Sequence, residues 1–242
     1  METASTNGLT LRTAAIIAGL AYLFDPVSYA EFTLYPKLVV SDHIAQTITN
    51  ISSNHGAFLM MFFFYFINFA EDVVVAWALY YLFAPVNRAV SALAALFQLV
   101  YAGIAFVGLL NLATVFHMVT QPEYLASLGT GPLHADINIL LHTFRSYYSL
   151  GLILFGVHLL LIGALIVRAS YVPWWIGVAL IIDGGGWIVT ELQPYLYPAV
   201  NVDFLFFTFF GELLFMLWLL IMGWRIQEPA ATLVRVEPVL SG

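Results

Sequence analysis

The chain of 242 residues contains no cysteine and very little charge. Without cysteine it has no disulfide framework, iron–sulfur cluster, thiol nucleophile or cysteine-bound zinc. Only 9% of its residues are charged and 62% are hydrophobic, whereas soluble domains carry about 25% charged residues. The 14 acidic residues outnumber the 7 basic ones. This composition excludes a water-soluble globular domain, a disordered chain and a nucleic-acid-binding protein.

Long apolar stretches fill most of the chain. Each has at least about 18 residues, enough to cross the ~30 Å hydrocarbon layer of a bilayer as a helix. The sequence therefore predicts an all-α polytopic membrane protein, a bundle of six transmembrane helices within residues 11–224. A polar N-terminal tail over 1–10 and a flexible cytoplasmic tail over 225–242 flank it. The predicted spans are 11–33, 56–83, 89–117, 137–166, 173–191 and 203–224.

The basic residues predict an orientation. Five lie in alternate loops that begin with the N-terminus, and Lys37 alone lies in the opposite loops. Because cytoplasmic loops carry the excess of lysine and arginine, both termini are expected in the cytoplasm of a multi-pass cell-membrane protein. The lipid bilayer is then its first partner. The five residues are Arg12, Arg88, Arg168, Arg225 and Arg235.

Polar residues within the spans form the candidate ligand-binding site. A charge at mid-membrane costs about 2.5–3.5 kcal/mol, so these groups are expected to face each other, water or Arg145, or to be protonated. We expect Arg145 to pair with Glu212 or Glu71. His158 follows Arg145 by 13 residues and points about 220° away from it. Either this helix makes polar contacts on two sides, or one of the two residues serves structure alone. The candidate residues are Glu71, Asp72, Asn111, His142, Arg145, His158, Asp183 and Glu212.

Two further patterns concern packing and turns. Three glycines, Gly184–Gly186, follow Asp183 and are expected to let another helix approach closely. The segments EFTLYP (31–36) and ELQPYLYP (191–198) resemble each other. We interpret this similarity as two turns of the same kind, each at the outer end of a helix.

Motifs for catalysis or metal binding are missing from the sequence. There is no HExxH, GxSxG, P-loop or GxGxxG. The six histidines include no pair at i, i+3 or i, i+4, so no metal site is predicted. Haem held by histidines on different helices leaves no local spacing, and the cofactor therefore stays unknown.

Four segments of the chain carry a family pattern: 85–88 with 93–97, 152–161, 168–177, and 211–214 with 217–220. In these segments the chain resembles the prokaryotic membrane proteins grouped as domain of unknown function family 4386. This resemblance implies a six-helix membrane protein of bacterial or archaeal origin and carries no activity. His158, Glu212, Asn87 and Arg88 lie on the shared motifs. Two positions depart from the family pattern, Ala84 before the Pro-Val pair and Thr190 at the end of the fifth helix.

Three functions are compatible with this pattern. The leading interpretation is a polar intramembrane cavity that opens toward the outer half of the bilayer and binds a small molecule or ion, as a transporter or sensor. The second is an intramembrane enzyme, haem-dependent or hydrolytic, that uses His142 or His158. The third is a structural membrane subunit. The sequence specifies neither the ligand nor the oligomeric state.

Overall fold

The computed structural model describes residues 9–227, and every regular element within that range is helical. Five helical segments are long and apolar enough to cross a membrane. The prediction of an all-α membrane protein is therefore confirmed. The predicted tails, 1–10 and 225–242, lie mostly outside the described residues. The five segments are Leu11–Leu38, His55–Thr120, Thr130–Arg168, Trp174–Leu196 and Asp203–Arg225.

The first segment is broken, although the sequence predicted one continuous span over 11–33. Helix α1 (Leu11–Leu23) ends before Asp25 and Pro26. Because proline has no N–H and clashes with the preceding turn, it interrupts the helix. Asp25 Oδ1 accepts a hydrogen bond from the Val27 N–H at 2.8 Å and so starts the next turn. The chain continues as α2 (Val27–Tyr29), a π-helical turn (Ala30–Leu34) and α3 (Tyr35–Leu38).

Two short helices lie between the apolar segments. Helix α4 (Ile44–Ser53) precedes the second segment. The second segment itself is α5 (His55–Thr120), and α6 (Pro122–Leu128) follows it. Neither α4 nor α6 is long enough to cross the bilayer. Both lie at the same end of the bundle as the break in the first segment.

Helix α5 is a helical hairpin. Its 66 residues would extend about 100 Å as one straight helix, three times the hydrocarbon thickness. Asn87, two residues after Pro85, has non-helical dihedral angles (φ −159°, ψ 104°). The Asn87 side-chain oxygen accepts a hydrogen bond from the Val90 N–H at 3.1 Å and caps the second arm. The family motif at 85–88 therefore forms the turn of the hairpin.

The two arms of α5, residues 55–86 and 88–120, run antiparallel. Gln98 Nε2 donates to Asp72 Oδ1 at 2.5 Å, and the rings of Phe66 and Phe106 meet edge to face. The arms correspond to the predicted spans 56–83 and 89–117. The count of six crossings stays a prediction, which this hairpin supports.

The remaining segments complete a ring of helices. Helix α7 (Thr130–Arg168) is followed by α8 (Trp174–Leu196). A 3₁₀ turn (Asp203–Phe209) leads into α9 (Phe210–Met222), and another (Gly223–Arg225) ends it. Helix α1 packs on α5, α5 on α7, α7 on α8, α8 on α9, and α9 returns to α1. This closed order leaves a space inside the ring.

Four glycines bring α7 and α8 into backbone contact. A Cβ atom on Gly156 would lie 2.7 Å from the Gly184 carbonyl oxygen, and one on Gly163 would lie 2.6 Å from that of Gly177. The relation is reciprocal, so both pairs need the hydrogen side chain on each helix. We call Gly156, Gly163, Gly177 and Gly184 the glycine seam. Small residues at such crossings allow close van der Waals packing within a membrane.

The prediction of close packing at Gly184–Gly186 is confirmed for two of the three residues. Gly184 faces α7, and Gly186 faces the side chain of Thr208. At Gly185 the prediction is wrong, because no atom of residues 9–227 outside its own stretch of helix lies within 4 Å of the position of a Cβ atom. Successive helix residues point about 100° apart, so three in a row cannot all face neighbouring helices.

Candidate functional site

A cavity of about 730 Å³ lies inside the ring of helices. All five apolar segments contribute to its wall, and its volume is in the usual range for small-molecule sites, about 300–1,000 Å³. Its wall combines aromatic and aliphatic side chains with an unusual number of polar ones. The polar and amphipathic members are Tyr22, Asp25, Ser28, Glu31, Asn68, Glu71, Asp72, Tyr101, Arg145, Tyr148, Trp187, Thr190, Glu191, Asp203, Thr208 and Glu212.

The break in the first segment shapes one side of the cavity. Because α1 stops at Leu23, the chain after Pro26 turns again and presents Asp25 and Glu31 to the cavity. The opposite rim is the 3₁₀ segment Asp203–Phe209, whose tighter winding precedes α9. Irregular helices at membrane depth are tolerated where they line a cavity.

Three residues of the first arm of α5 form the deep end of the cavity. Asn68, Glu71 and Asp72 lie three and four residues apart, so they share one helix face. Asn68 is 7% exposed and Asp72 is 6% exposed. Asp72 Oδ1 accepts the hydrogen bond from Gln98, whereas Asp72 Oδ2 and Asn68 Oδ1 have no hydrogen-bond partner among the described residues. The deep end therefore has free hydrogen-bond acceptors.

Arg145 forms an ion pair with Glu31. Its guanidinium donates to both carboxylate oxygens, at 2.5 and 2.9 Å, and lies 5.1 Å from the centre of the Tyr35 ring. The prediction that Arg145 pairs with Glu212 or Glu71 is wrong. The sequence predicted that Glu31 lies at the end of a continuous helix. In the structure the helix is broken before Glu31, and the Glu31 side chain points toward Arg145.

Asp183 and Glu212 are neighbours on α8 and α9. Asp183 Oδ2 accepts a hydrogen bond from the Glu212 N–H at 2.9 Å. This bond satisfies a donor in the first turn of α9, where a helix has no internal acceptor. The Glu212 side chain lines the cavity, and its Oε1 has no partner among the described residues. Asp183 thus joins two helices, and Glu212 faces the empty space.

The structure brings four of the eight predicted site residues to the cavity and places four elsewhere. Glu71, Asp72, Arg145 and Glu212 line the wall, and the four others do not. The other four are Asn111, which donates to the Gly108 carbonyl at 2.9 Å, the exposed His142, His158 and the helix-capping Asp183.

His158 is buried in the packing between α7 and the second arm of α5. Its Nδ1 lies 2.9 Å from the carbonyl oxygen of Ala94, and because a carbonyl can only accept, Nδ1 carries the proton of this bond. Its ring stacks on Phe155 at an interplanar angle of 14°. His158 points away from the cavity that Arg145 lines, as the 220° separation predicted.

Sequence reasoning missed several members of the wall, including Glu31 and Glu191. The sequence similarity between 31–36 and 191–198 could have identified these two residues, because each segment begins with one of the glutamates. Glu191 accepts a hydrogen bond from Ser149 Oγ at 2.5 Å, one turn beyond Arg145 on α7. The two similar turns therefore place their glutamates against the same helix.

The chemistry of the site follows from its charges. Seven carboxylates and one guanidinium line the cavity. The described residues hold no group of three or more histidine, aspartate or glutamate side chains arranged to bind a metal ion. The arrangement suits a ligand that brings positive charge and hydrogen-bond donors. The seven carboxylates are those of Asp25, Glu31, Glu71, Asp72, Glu191, Asp203 and Glu212.

Comparison with known proteins agrees with the four sequence segments. Residues 17–223 match the family described as "Domain of unknown function (DUF4386)". An uncharacterised protein of the archaeon Archaeoglobus fulgidus is 35% identical over 161 residues, which cover 66% of this chain and 82% of that protein. No solved structure matches the chain. With a match over most of its length and a relative at this identity, the chain belongs to the DUF4386 family.

Proposed function

We propose that this membrane protein binds a small ligand in the cavity inside its ring of helices, as a transporter or a sensor. The observation that carries the proposal is the cavity itself, about 730 Å³ within the apolar segments. Ionisable groups within a membrane are costly and usually mark pathways or binding sites. Here they converge from several segments on one space.

The free acceptors at the deep end support binding. A buried polar atom without a partner costs about 1–3 kcal/mol. Asn68 Oδ1 and Asp72 Oδ2 both lack a partner among the described residues, and both side chains are more than nine-tenths buried. A ligand that donates hydrogen bonds to them removes this cost. Neither His142 nor His158 lines the cavity, so the geometry does not support an enzyme that uses these histidines there.

The proposed orientation places the cavity toward the outer half of the bilayer. The broken first segment, the C-terminal end of α8 and the 3₁₀ segment Asp203–Phe209 lie at the end of the bundle opposite the turn at Asn87. With both termini in the cytoplasm, this end faces outward. Reporter fusions after Gly242 and within residues 123–134 are expected to report opposite sides. Reports from one side would contradict the topology.

The test of the proposed site is to fill the cavity. Thr190 lines the wall, so Thr190→Trp is expected to displace compounds that native mass spectrometry finds bound to protein purified from membranes. Thr114→Trp makes the same change on an exposed face outside the wall and is the matched control. Uptake of the identified compound into proteoliposomes would then indicate a transporter, and binding without uptake a sensor. Equal occupancy in both variants would refute the site.

A further inference from the structure

Acidic groups outnumber basic groups in the cavity wall, and this inequality restricts the ligand. Arg145 is the cation of the described cavity wall, and its strongest contacts are the two hydrogen bonds to Glu31. Glu71, Asp72 and Glu212 therefore face the cavity without an ion-pair partner among the described residues. A neutral or anionic ligand leaves this excess of acid unchanged. A cationic ligand compensates it.

The buried side-chain atoms without a hydrogen-bond partner also favour a ligand with positive charge. Asn68 Oδ1, Asp72 Oδ2 and Glu212 Oε1 are hydrogen-bond acceptors. The indole N–H of Trp187 is the unpartnered donor of the described wall. Among the fully buried, unpartnered atoms of the described wall, three acceptors stand against one donor, which suits a ligand whose polar part consists mainly of N–H groups or of a positive charge.

The aromatic residues indicate the rest of the ligand. Tyr101 lies beside Asp72, its ring is 5.3 Å from that of Phe155, and Phe155 meets Trp187 edge to face at 6.2 Å. The aromatic path thus begins at the acidic end and crosses the cavity. Aromatic faces attract ammonium groups and also bury apolar surface.

The rim suggests a route from the lipid. Phe32 and Phe206 line the cavity on opposite sides, and their rings meet edge to face at 6.0 Å. Phe32 is 68% exposed and Phe206 is 57% exposed. The side chains that close this opening are thus apolar and exposed on the surface of the helix bundle. A lipid-soluble molecule can pass between two rings more readily than a hydrated inorganic ion.

We infer that the cavity takes an organic ammonium ion with an apolar body. Its cationic head lies at Asn68, Glu71 and Asp72, and its body lies along Phe155 and Trp187. This inference rests on the proposed function and adds the class of ligand. The ammonium group belongs either to a free amine or to the headgroup of an aminolipid. A site for an inorganic cation alone would need neither a volume of about 730 Å³ nor an aromatic path.

The experiment compares probes of matched shape and different charge. The full-length protein in maltoside micelles, which contain no amine, is titrated with benzylammonium, benzyl alcohol and benzenesulfonate by isothermal titration calorimetry. Benzylammonium is expected to bind about tenfold more tightly than benzyl alcohol, the ratio that one charge-assisted hydrogen bond provides. Equal affinities, or tighter binding of the sulfonate, would overturn the inference.

Two variants localise the head. Asp72→Asn keeps an oxygen for the bond from Gln98, so the fold is expected to persist while affinity for the cationic probe falls about tenfold. Glu71→Gln provides a second test of the same end of the cavity. Glu123→Gln removes an exposed carboxylate outside the wall and is expected to leave affinity unchanged. An unchanged affinity in both Asp72→Asn and Glu71→Gln would refute the placement of the head.

Further outcomes of these experiments distinguish a failure of the ammonium inference from a failure of the proposed function. If benzyl alcohol binds as tightly as the cation and Thr190→Trp blocks both, the ligand site stands and the ammonium inference fails. Binding of potassium alone also overturns the inference. If Thr190→Trp alters no binding at all, the proposed function fails as well. Phosphatidylethanolamine added to the micelles is expected to compete if the ligand is an aminolipid, and a lack of competition supports a free amine.

Discussion

The two halves of helix α8 place polar residues in different surroundings. Toward its N-terminus, Gly177 and Gly184 lie in backbone contact with α7, and the neighbouring Asp183 is fully buried. Toward its C-terminus, Trp187 and Glu191 line the cavity. In the first region the Asp183 carboxylate accepts a hydrogen bond from the backbone of α9. In the second region the polar side chains line the cavity. A polar residue within a span therefore identifies a ligand site only when its surroundings leave room for a ligand.

The largest effect is expected where the seam is overfilled. Gly184→Leu would place side-chain atoms against the Gly156 carbonyl, which already lies 2.5 Å from the position of a Cβ atom. Overpacking typically costs 1–3 kcal/mol, and contact with rigid backbone is expected to cost about 3 kcal/mol or more. Gly185→Leu is the matched control, because its Cβ position is open. Thermal unfolding in detergent measures both, and equal losses would show that the seam is not the tightest contact of α8.

The next effect concerns the ion pair at the rim of the cavity. Arg145→Met leaves the Glu31 carboxylate, whose side chain is 17% exposed, without its partner. Because the Arg145 side chain is 45% exposed, the loss should lie between those of surface and buried pairs, about 1–3 kcal/mol.

The second substitution identifies the partner of Arg145. Adding Glu31→Gln to Arg145→Met is expected to recover part of the lost stability, because the stranded charge is removed. Adding Glu212→Gln is expected to recover none. The midpoint of thermal unfolding of the two double variants decides between the partners, and recovery with Glu212→Gln alone would contradict the observed pair.

A smaller effect is expected at the bond between α8 and α9. Asp183→Ala removes the acceptor of the Glu212 N–H and is expected to cost about 1–2 kcal/mol, as for other helix caps. Asp183→Asn keeps an oxygen at that position and should cost less. The order of the two unfolding midpoints checks this role. If Asn and Ala are equally damaging, the carboxylate charge, rather than the bond to the backbone, stabilises the contact.

The smallest effect is expected at the cavity wall on α7. Ser149→Ala removes the hydrogen bond to Glu191 and is expected to cost about 0.5–1.5 kcal/mol. Ser146→Ala is the control, because Ser146 donates to the His142 carbonyl of its own helix and has no other hydrogen-bond partner in the described part of the chain. Unfolding in detergent should separate the two variants by less than the seam variants. A loss as large as that of Gly184→Leu would mean that the wall is as tightly packed as the seam.

Composition and hydropathy predicted the helical membrane fold, since both depend on the average of many residues. The hairpin was also predictable, because Pro85 and the polar pair after it interrupt an apolar run. The break at Asp25 was not predicted. A window averaged over a span hardly registers one aspartate and one proline among apolar neighbours.

Half of the predicted site residues line the cavity. These were predictable because the depth of a residue in the membrane can be counted along a regular helix. The pairing of Arg145 could not be predicted, since Glu31 is 114 residues away and its direction depends on the irregular turns after Pro26. Helix-face geometry separated Arg145 from His158 correctly. It could not distinguish Asp72 from Asp183, because only the packing of other helices decides which carboxylate meets a cavity.

The turn at Asn87 also has a consequence for biosynthesis. A connection of about four residues carries no hydrophilic loop, so both arms of α5 are suited to leave the translocon together as one unit. In joint insertion Asp72 would enter the lipid with Gln98 opposite it. The hydrogen bond would then offset part of the insertion cost of a carboxylate at mid-membrane, about 2.5–3.5 kcal/mol. The short turn would thus couple the insertion of Asp72 to that of its hydrogen-bond partner.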